Sequence, residues 1–218
     1  AAPPDAGEPA ESSPASLPVE IFQAAQRGEL QVVVNWLRRN GGMVDALGSA
    51  QSRDGLTSTF GLLHVAAFKD NLDMVKELLK RGASVDLPDG LGGTALMDAA
   101  FHGRLSIVLV LLQHSASPDL QDNSYGHTAL MKAVYQGQKA CVQALLRAKA
   151  NTELLDKLSC TALQRAEDQG HTATAELIRQ HAAPPQPAAT AEAMQAEQAA
   201  QAVKADAAME KLLAEEAA

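Results

Sequence analysis

The stretch Ala95–Arg104, ALMDAAFHGR, returns as ALMKAVYQGQ at Ala129–Gln138. Each copy opens on small and aliphatic residues, carries one aromatic (Phe101 or Tyr135), and closes on Gly103 or Gly137. A third copy, LLHVAAFKDN at Leu62–Asn71, places Phe68 at the same point and Asp70 in the glycine slot. Leu63, Leu96, Leu130 and Leu163 recur at intervals of 33, 34 and 33 residues. Behind each closing slot follows a second apolar pattern: LDMVKELLKRGAS, LSIVLVLLQHSAS, KACVQALLRAKAN and TATAELIRQHAA. Independent landmarks that share one period are the signature of a repeat architecture.

Each unit reads as two short helices. The first runs through the Ala-rich phrase and stops at Gly or its substitute, a C-terminal signal. The second has apolar residues at i, i+3 and i+4, as in Val75, Leu78, Leu79 and Val108, Leu111, Leu112. Neither helix has enough apolar face to stand alone, so the units must stack on one another.

These residues resemble the ankyrin repeat, whose phrase is T-P-L-H-x-A near the start of a 33-residue unit. Here the phrase stands as Leu62-Leu63-His64-Val65-Ala66-Ala67, Thr94-Ala95-Leu96-Met97-Asp98-Ala99, Thr128-Ala129-Leu130-Met131-Lys132-Ala133 and Thr161-Ala162-Leu163-Gln164-Arg165-Ala166. The Pro is replaced throughout and the His survives once, so the copies are degenerate. The resemblance covers residues 17–182 and implies an all-α ankyrin-repeat solenoid of stacked helix–turn–helix units with β-turn fingers. The segment VEIFQAAQRGELQVVVNWLRRNGG has the same cadence without the Thr phrase and reads as an N-terminal cap, residues 17–47. Repeats are expected at about 54–88, 89–121, 122–155 and 156–182. The first finger, 41–61, is longer than the period requires and carries an insertion. It is either a tolerated surface loop or a partner-specific contact.

Outside the array the composition changes. Residues 1–16 are rich in Pro, Ser, Ala and acids and are expected to be disordered. A Pro-rich linker at 183–188 breaks the last helix, and the Ala/Glu-rich segment 189–218 is expected to form a helix, solvated or docked on a partner. The phrase GHTATAELIRQHAAPPQP resembles the ends of ankyrin arrays of dinoflagellate-type algae.

Bulk properties exclude several classes. The 46% hydrophobic content consists largely of Ala, 42 residues, while only 3% of the chain is aromatic, so a large aromatic core is unavailable. A net charge of −8 without clustered Lys and Arg argues against a nucleic-acid partner. No apolar run is long enough to span a bilayer, and the N-terminus lacks the charged-then-apolar pattern of a signal peptide. The chain does not begin with Met, which suggests a processed product or a piece of a longer one. An intracellular, cytoplasmic location is expected, or alternatively a plastid or other organelle after removal of a targeting segment. Cys141 and Cys160 have no CxxC spacing and no His partner, so no metal or other cofactor is expected. Cys141 reads as core and Cys160 as a finger residue without an activator for its thiolate.

The resemblance also implies where partners bind. In ankyrin repeats the two residues before the closing Gly of the first helix face the concave groove. Here these are Phe68 and Lys69, Phe101 and His102, Tyr135 and Gln136, with Asp168 in the last repeat. The aromatics could equally pack over their own repeats; groove contact is the favoured reading because Tyr and Phe are typical anchors. Exposed finger residues Leu91, Tyr125 and His127 complete the candidate partner-binding set. Asp45, Asp86, Asp119 and Glu153 form a second ladder, read as structural capping of turn N–H groups with an acidic ridge as the alternative. His64 sits at the repeat's own His position, where it is expected to brace the turn. No Ser, Cys or paired carboxylate stands at a mechanistic spacing from any His. The expected function is therefore a non-catalytic protein–protein interaction scaffold. The alternative is a permanent structural subunit of a large assembly, organellar or photosynthetic, with its tails ordered by neighbouring subunits.

Overall fold

Thr94, Thr128 and Thr161 decide where three of the repeats begin. Each hydroxyl accepts the backbone N–H three residues on, from Met97 (3.4 Å), Met131 (3.2 Å) and Gln164 (3.3 Å). That bond satisfies a donor the first turn of a helix would otherwise leave open. The computed structural model describes residues 16–51 and 57–182. The expected N-terminal extension, apart from Ser16, and the expected linker and C-terminal helix at 183–218 lie outside the described residues.

Helices come in pairs. The cap is α1 (Val19–Gln26) and α2 (Leu30–Arg39), followed by α3 (Leu62–Phe68) with α4 (Leu72–Lys80). Then come α5 (Ala95–Phe101) with α6 (Leu105–Gln113), α7 (Ala129–Tyr135) with α8 (Lys139–Arg147), and α9 (Ala162–Asp168) with α10 (Thr172–Ala182). The first helices α1, α3, α5, α7 and α9 pack in sequence as one layer, and α4, α6 and α8 pack in the second. Each repeat therefore buries its apolar face against its neighbours, as the period requires. Leu96, Leu130, Met131, Ile107, Leu111 and Leu145 are fully buried, and Ala99, Ala100 and Ala133 allow the first helices to approach closely. Cys141 belongs to this core.

The slot that closes each first helix is left-handed: Gly103 has φ 69° and Gly137 φ 65°, and Asp70 takes the same region at φ 60°. Gly accepts this conformation without steric cost and Asp is one of the few residues that tolerate it. Asp70 also pairs with Arg104 of the next repeat at 3.1 Å.

The 41–61 insertion contributes two paired strands. Strand β1 (Leu47–Gln51) pairs antiparallel with β2 (Thr57–Gly61), Leu47 opposite Gly61. The β-branched and aromatic residues Thr57, Thr59 and Phe60 favour a strand. Neighbours hold both edges: Leu17 N–H donates to the Leu47 carbonyl (2.8 Å) and Gly90 N–H to the Thr59 carbonyl (2.9 Å). The finger row continues through Asn123 N–H to the Leu91 carbonyl (2.8 Å) and Lys157 N–H to the Tyr125 carbonyl (2.9 Å).

The acidic ladder caps backbone N–H groups, as its structural reading requires, and the groups it caps belong to the following repeat. Asp45 accepts the Ser84 N–H (2.9 Å), Asp86 the Ser117 N–H (3.0 Å) and Asp119 the Asn151 N–H (2.8 Å). Glu153 departs from the pattern: among the described residues its carboxylate accepts only the neighbouring Thr152 hydroxyl. Asp86→Ala is expected to lower stability by about 1 kcal/mol through the lost inter-repeat bond. Urea unfolding measures it, and a loss no larger than that of an exposed control such as Glu153→Ala rejects the bridging role.

Candidate functional site

The face formed by the first helices and the fingers is where the chain concentrates its aromatic residues. One cavity of about 430 Å³ is lined by Phe22 and Gln26 of α1, Phe60 of β2, His64, Val65 and Phe68 of α3, Lys69, Met97, Asp98 and Phe101 of α5, His102, and Lys132 of α7. A second, of about 390 Å³, is lined by Phe101, Tyr125, His127, Lys132, Tyr135, Leu158 and Arg165. The two adjoin at Phe101 and Lys132, and together they make a groove that runs from the cap to the fourth repeat. Of the seven aromatic residues (four Phe, two Tyr, one Trp), all but Trp36 line it.

The recurring aromatics are not core. Phe68 and Tyr135 are each 44% exposed, and Phe101, half-buried, is the wall between the two cavities. They do not stack directly on one another. The His102 imidazole meets both Phe68 (4.6 Å between centroids) and Phe101 (5.0 Å) edge-on, so histidine bridges the two rings. The α5 backbone orients it: His102 Nδ1 lies 2.9 Å from the Asp98 carbonyl. On the finger side Tyr125 stacks on His127 at 5.4 Å. Of the candidates named from sequence, Phe68, Lys69, Phe101, His102, Tyr125, His127 and Tyr135 line the groove, whereas Leu91, Gln136 and Asp168 are exposed and line neither cavity.

The finger carboxylates tie together the turns of their own fingers. Asp89 accepts the N–H groups of Leu91 (2.8 Å) and Gly93 (2.7 Å). Asp122 accepts from Tyr125 (2.7 Å) and His127 (3.3 Å), and Asp156 from Leu158 (2.8 Å) and Cys160 (3.0 Å). The second oxygen of Asp122 holds Lys132 Nζ at 2.6 Å, and that of Asp156 holds Arg165 Nε at 2.6 Å. Burial works against ionisation of both carboxyls, but these N–H groups and cations hold them below the ordinary carboxylate range. His127 is held below its usual value, chiefly by burial and then by Lys132.

Val65, Asp98, Lys132 and Arg165 occupy one column of the repeat. A basic residue fills it in two repeats and pairs with the finger acid, but Asp98 sits there in the repeat of Asp89. Asp98 is partly buried in the larger cavity, and burial, reinforced by Asp89, pushes its carboxyl up to about 7. His64 braces the turn as the repeat pattern implies: its Nδ1 accepts the Gly61 N–H (3.3 Å) and its Nε2 lies 3.1 Å from the Gly93 carbonyl. Burial lowers its pKa, so the neutral ring is favoured. Among the described residues no group of His, Cys, Asp or Glu is arranged to hold a metal, and no helix is long and apolar enough to cross a membrane.

The family model for ankyrin repeats (3 copies) matches residues 21–122 and 115–188. The chain belongs to the ankyrin repeat family. Ankyrin repeats are a non-catalytic fold that mediates protein–protein interaction. Among curated proteins, this ankyrin chain is 47% identical over 62 residues to a human palmitoyltransferase, ZDHHC13, covering 28% of this chain and 10% of that one. It is 33% identical over 98 residues to the rice E3 ubiquitin-protein ligase XB3 from Oryza sativa subsp. japonica, covering 45% of this chain and 20% of the ligase. It therefore spans a fifth or less of the length of these relatives.

Sequence reasoning missed Phe22, Phe60, Asp98, Lys132 and Arg165. Phe22 and Phe60 join the groove from the cap and strand β2, across sequence separations that no local pattern reports. The charged column was readable, because a charged residue recurs mid-helix among Ala and Leu at the repeat period.

Proposed function

We propose that this protein is a non-catalytic interaction scaffold, acting inside the cell, whose groove receives a segment of a partner protein. One observation carries the reading: six of the seven aromatic residues line two adjoining cavities in a protein otherwise poor in large side chains. Aromatic anchors in pre-formed pockets contribute most of the affinity at protein interfaces. The fingers are tied to one another by backbone hydrogen bonds, and the first helices are close-packed, so binding orders little of the scaffold. The bridging position of Phe101 makes it the natural probe.

The test is selection of short random peptides on the purified protein, followed by affinity measurements on Phe101→Ala. Peptides selected on the wild type are expected to lose at least about tenfold in affinity, about 1.4 kcal/mol, while the helical circular dichroism is retained. Selected peptides that bind Phe101→Ala unchanged overturn the groove reading. Once a native partner is known, its dissociation rate separates an exchanging adaptor from the resident-subunit alternative.

A further inference from the structure

In the repeats of Asp122 and Asp156, the finger carboxylate meets a cation from the same repeat: Lys132 Nζ at 2.6 Å and Arg165 Nε at 2.6 Å. The repeat of Asp89 breaks that rule, because the column that supplies the cation holds Asp98. Asp98 therefore adds a second carboxyl where its neighbours supply a cation. Its carboxyl takes part in no hydrogen bond or ion pair among the described residues. It lies in the larger cavity between apolar and aromatic walls: Phe60, Val65, Phe68, Met97 and Phe101.

Resting on the groove reading, we infer that this cavity receives a basic side chain, Lys or Arg, of the partner segment, whose cation pairs with Asp98. The partner then supplies the charge that Lys132 and Arg165 supply in the following repeats. The surroundings suit that occupant. The aliphatic stem of a Lys or Arg fits an apolar wall while its head reaches a carboxylate, and aromatic faces attract cations. Phe68 already has a cation over its ring, Lys69 Nζ at 5.3 Å from the centroid. Lys69 itself is exposed at the rim, and Lys132, the other cation of the lining, is held by Asp122. A carboxyl pushed up by burial and by Asp89 is costly to ionise alone and becomes favourable when a counter-ion enters. An anionic or purely apolar occupant leaves that cost in place.

The experiment uses peptides selected on the wild-type chain. A Lys or Arg is expected at one fixed position relative to apolar residues in the selected set. Replacing it with norleucine, which keeps the stem and removes the charge, should weaken binding to the wild type by about tenfold or more. On Asp98→Asn the same replacement should change affinity less than about threefold, because the coupling is between those two groups. Asp98→Lys, which places the missing cation within the chain, should also abolish the basic preference. Selected peptides with no basic position, or a norleucine effect undiminished on Asp98→Asn, overturn the inference. If those same peptides still lose affinity to Phe101→Ala, the groove reading stands without it. If they do not, the groove reading has failed independently.

Discussion

Asp156→Ala is expected to cost about 3–5 kcal/mol of folding free energy. The Asp156 side chain is fully buried and serves four donors at once: the N–H groups of Leu158 (2.8 Å) and Cys160 (3.0 Å), and the Arg165 guanidinium through Nε and Nη2 at 2.6 Å each. Truncation leaves two backbone donors of the last finger without their acceptor. It also leaves a guanidinium, only 16% exposed, without its counter-charge. An uncompensated charge of that kind is what makes one-sided deletion of a buried pair severe, even where the intact pair is worth little net. The loss should be local first. Amide exchange should rise in α9 and the finger at Asp156–Cys160 before it rises in α5 or α7, because each repeat is held only by its neighbours. Urea unfolding with residue-resolved exchange measures both. A loss below about 1 kcal/mol places this carboxylate with ordinary surface pairs instead.

Asp98→Asn is expected to act in the opposite direction, stabilising the protein above neutral pH. The Asp98 carboxyl rises from 3.8 to about 7 on folding, so between these values the native chain keeps a proton that the unfolded chain releases. Stability due to this group therefore falls as pH rises across that window and levels off above it. Asn keeps the shape and removes the titration. The variant should match wild type near pH 4 and exceed it by about 2 kcal/mol at pH 8, a figure discounted because Asp98 keeps some contact with solvent. His64 runs the other way: burial lowers its pKa from 6.5, so its contribution is lost as pH falls toward the acid range. His64 is present in both proteins and cancels in the difference. Matched urea unfolding at pH 4, 6 and 8 gives that difference directly, and a difference independent of pH rejects the account. A residue that destabilises its own fold at working pH is expected where binding needs the charge.

The parts of the fold legible in the sequence are those that every repeat must solve alike. Leu63, Leu96 and Leu130 mark the buried face because each unit has the same neighbour to bury it against, and the Thr phrase marks helix starts because the cap is local. The left-handed slot was readable even through Asp70, since Gly at its equivalents shows what the backbone requires. The pairing of Leu47–Gln51 with Thr57–Gly61 was not, because it occurs once and no period exposes it. The aromatic row was legible as a position but not as an arrangement. That His102 bridges Phe68 and Phe101 follows from side-chain directions between neighbouring helices.

By itself the sequence determined the repeat, its period, the helix pairs and the face each pair buries, because those depend on residues close together in the chain and repeated several times. Only the tertiary structure decided that Phe22 and Phe60 join Phe68 and Phe101 around one cavity. It also decided that the ladder acids reach the next repeat, and that Lys132 and Arg165 of the charged column pair with the finger acids Asp122 and Asp156. Those relations join residues up to tens of positions apart, and the strength of a charge depends on the burial that stacking creates. Periodicity fixes which residues recur; packing fixes which of the exceptions meet.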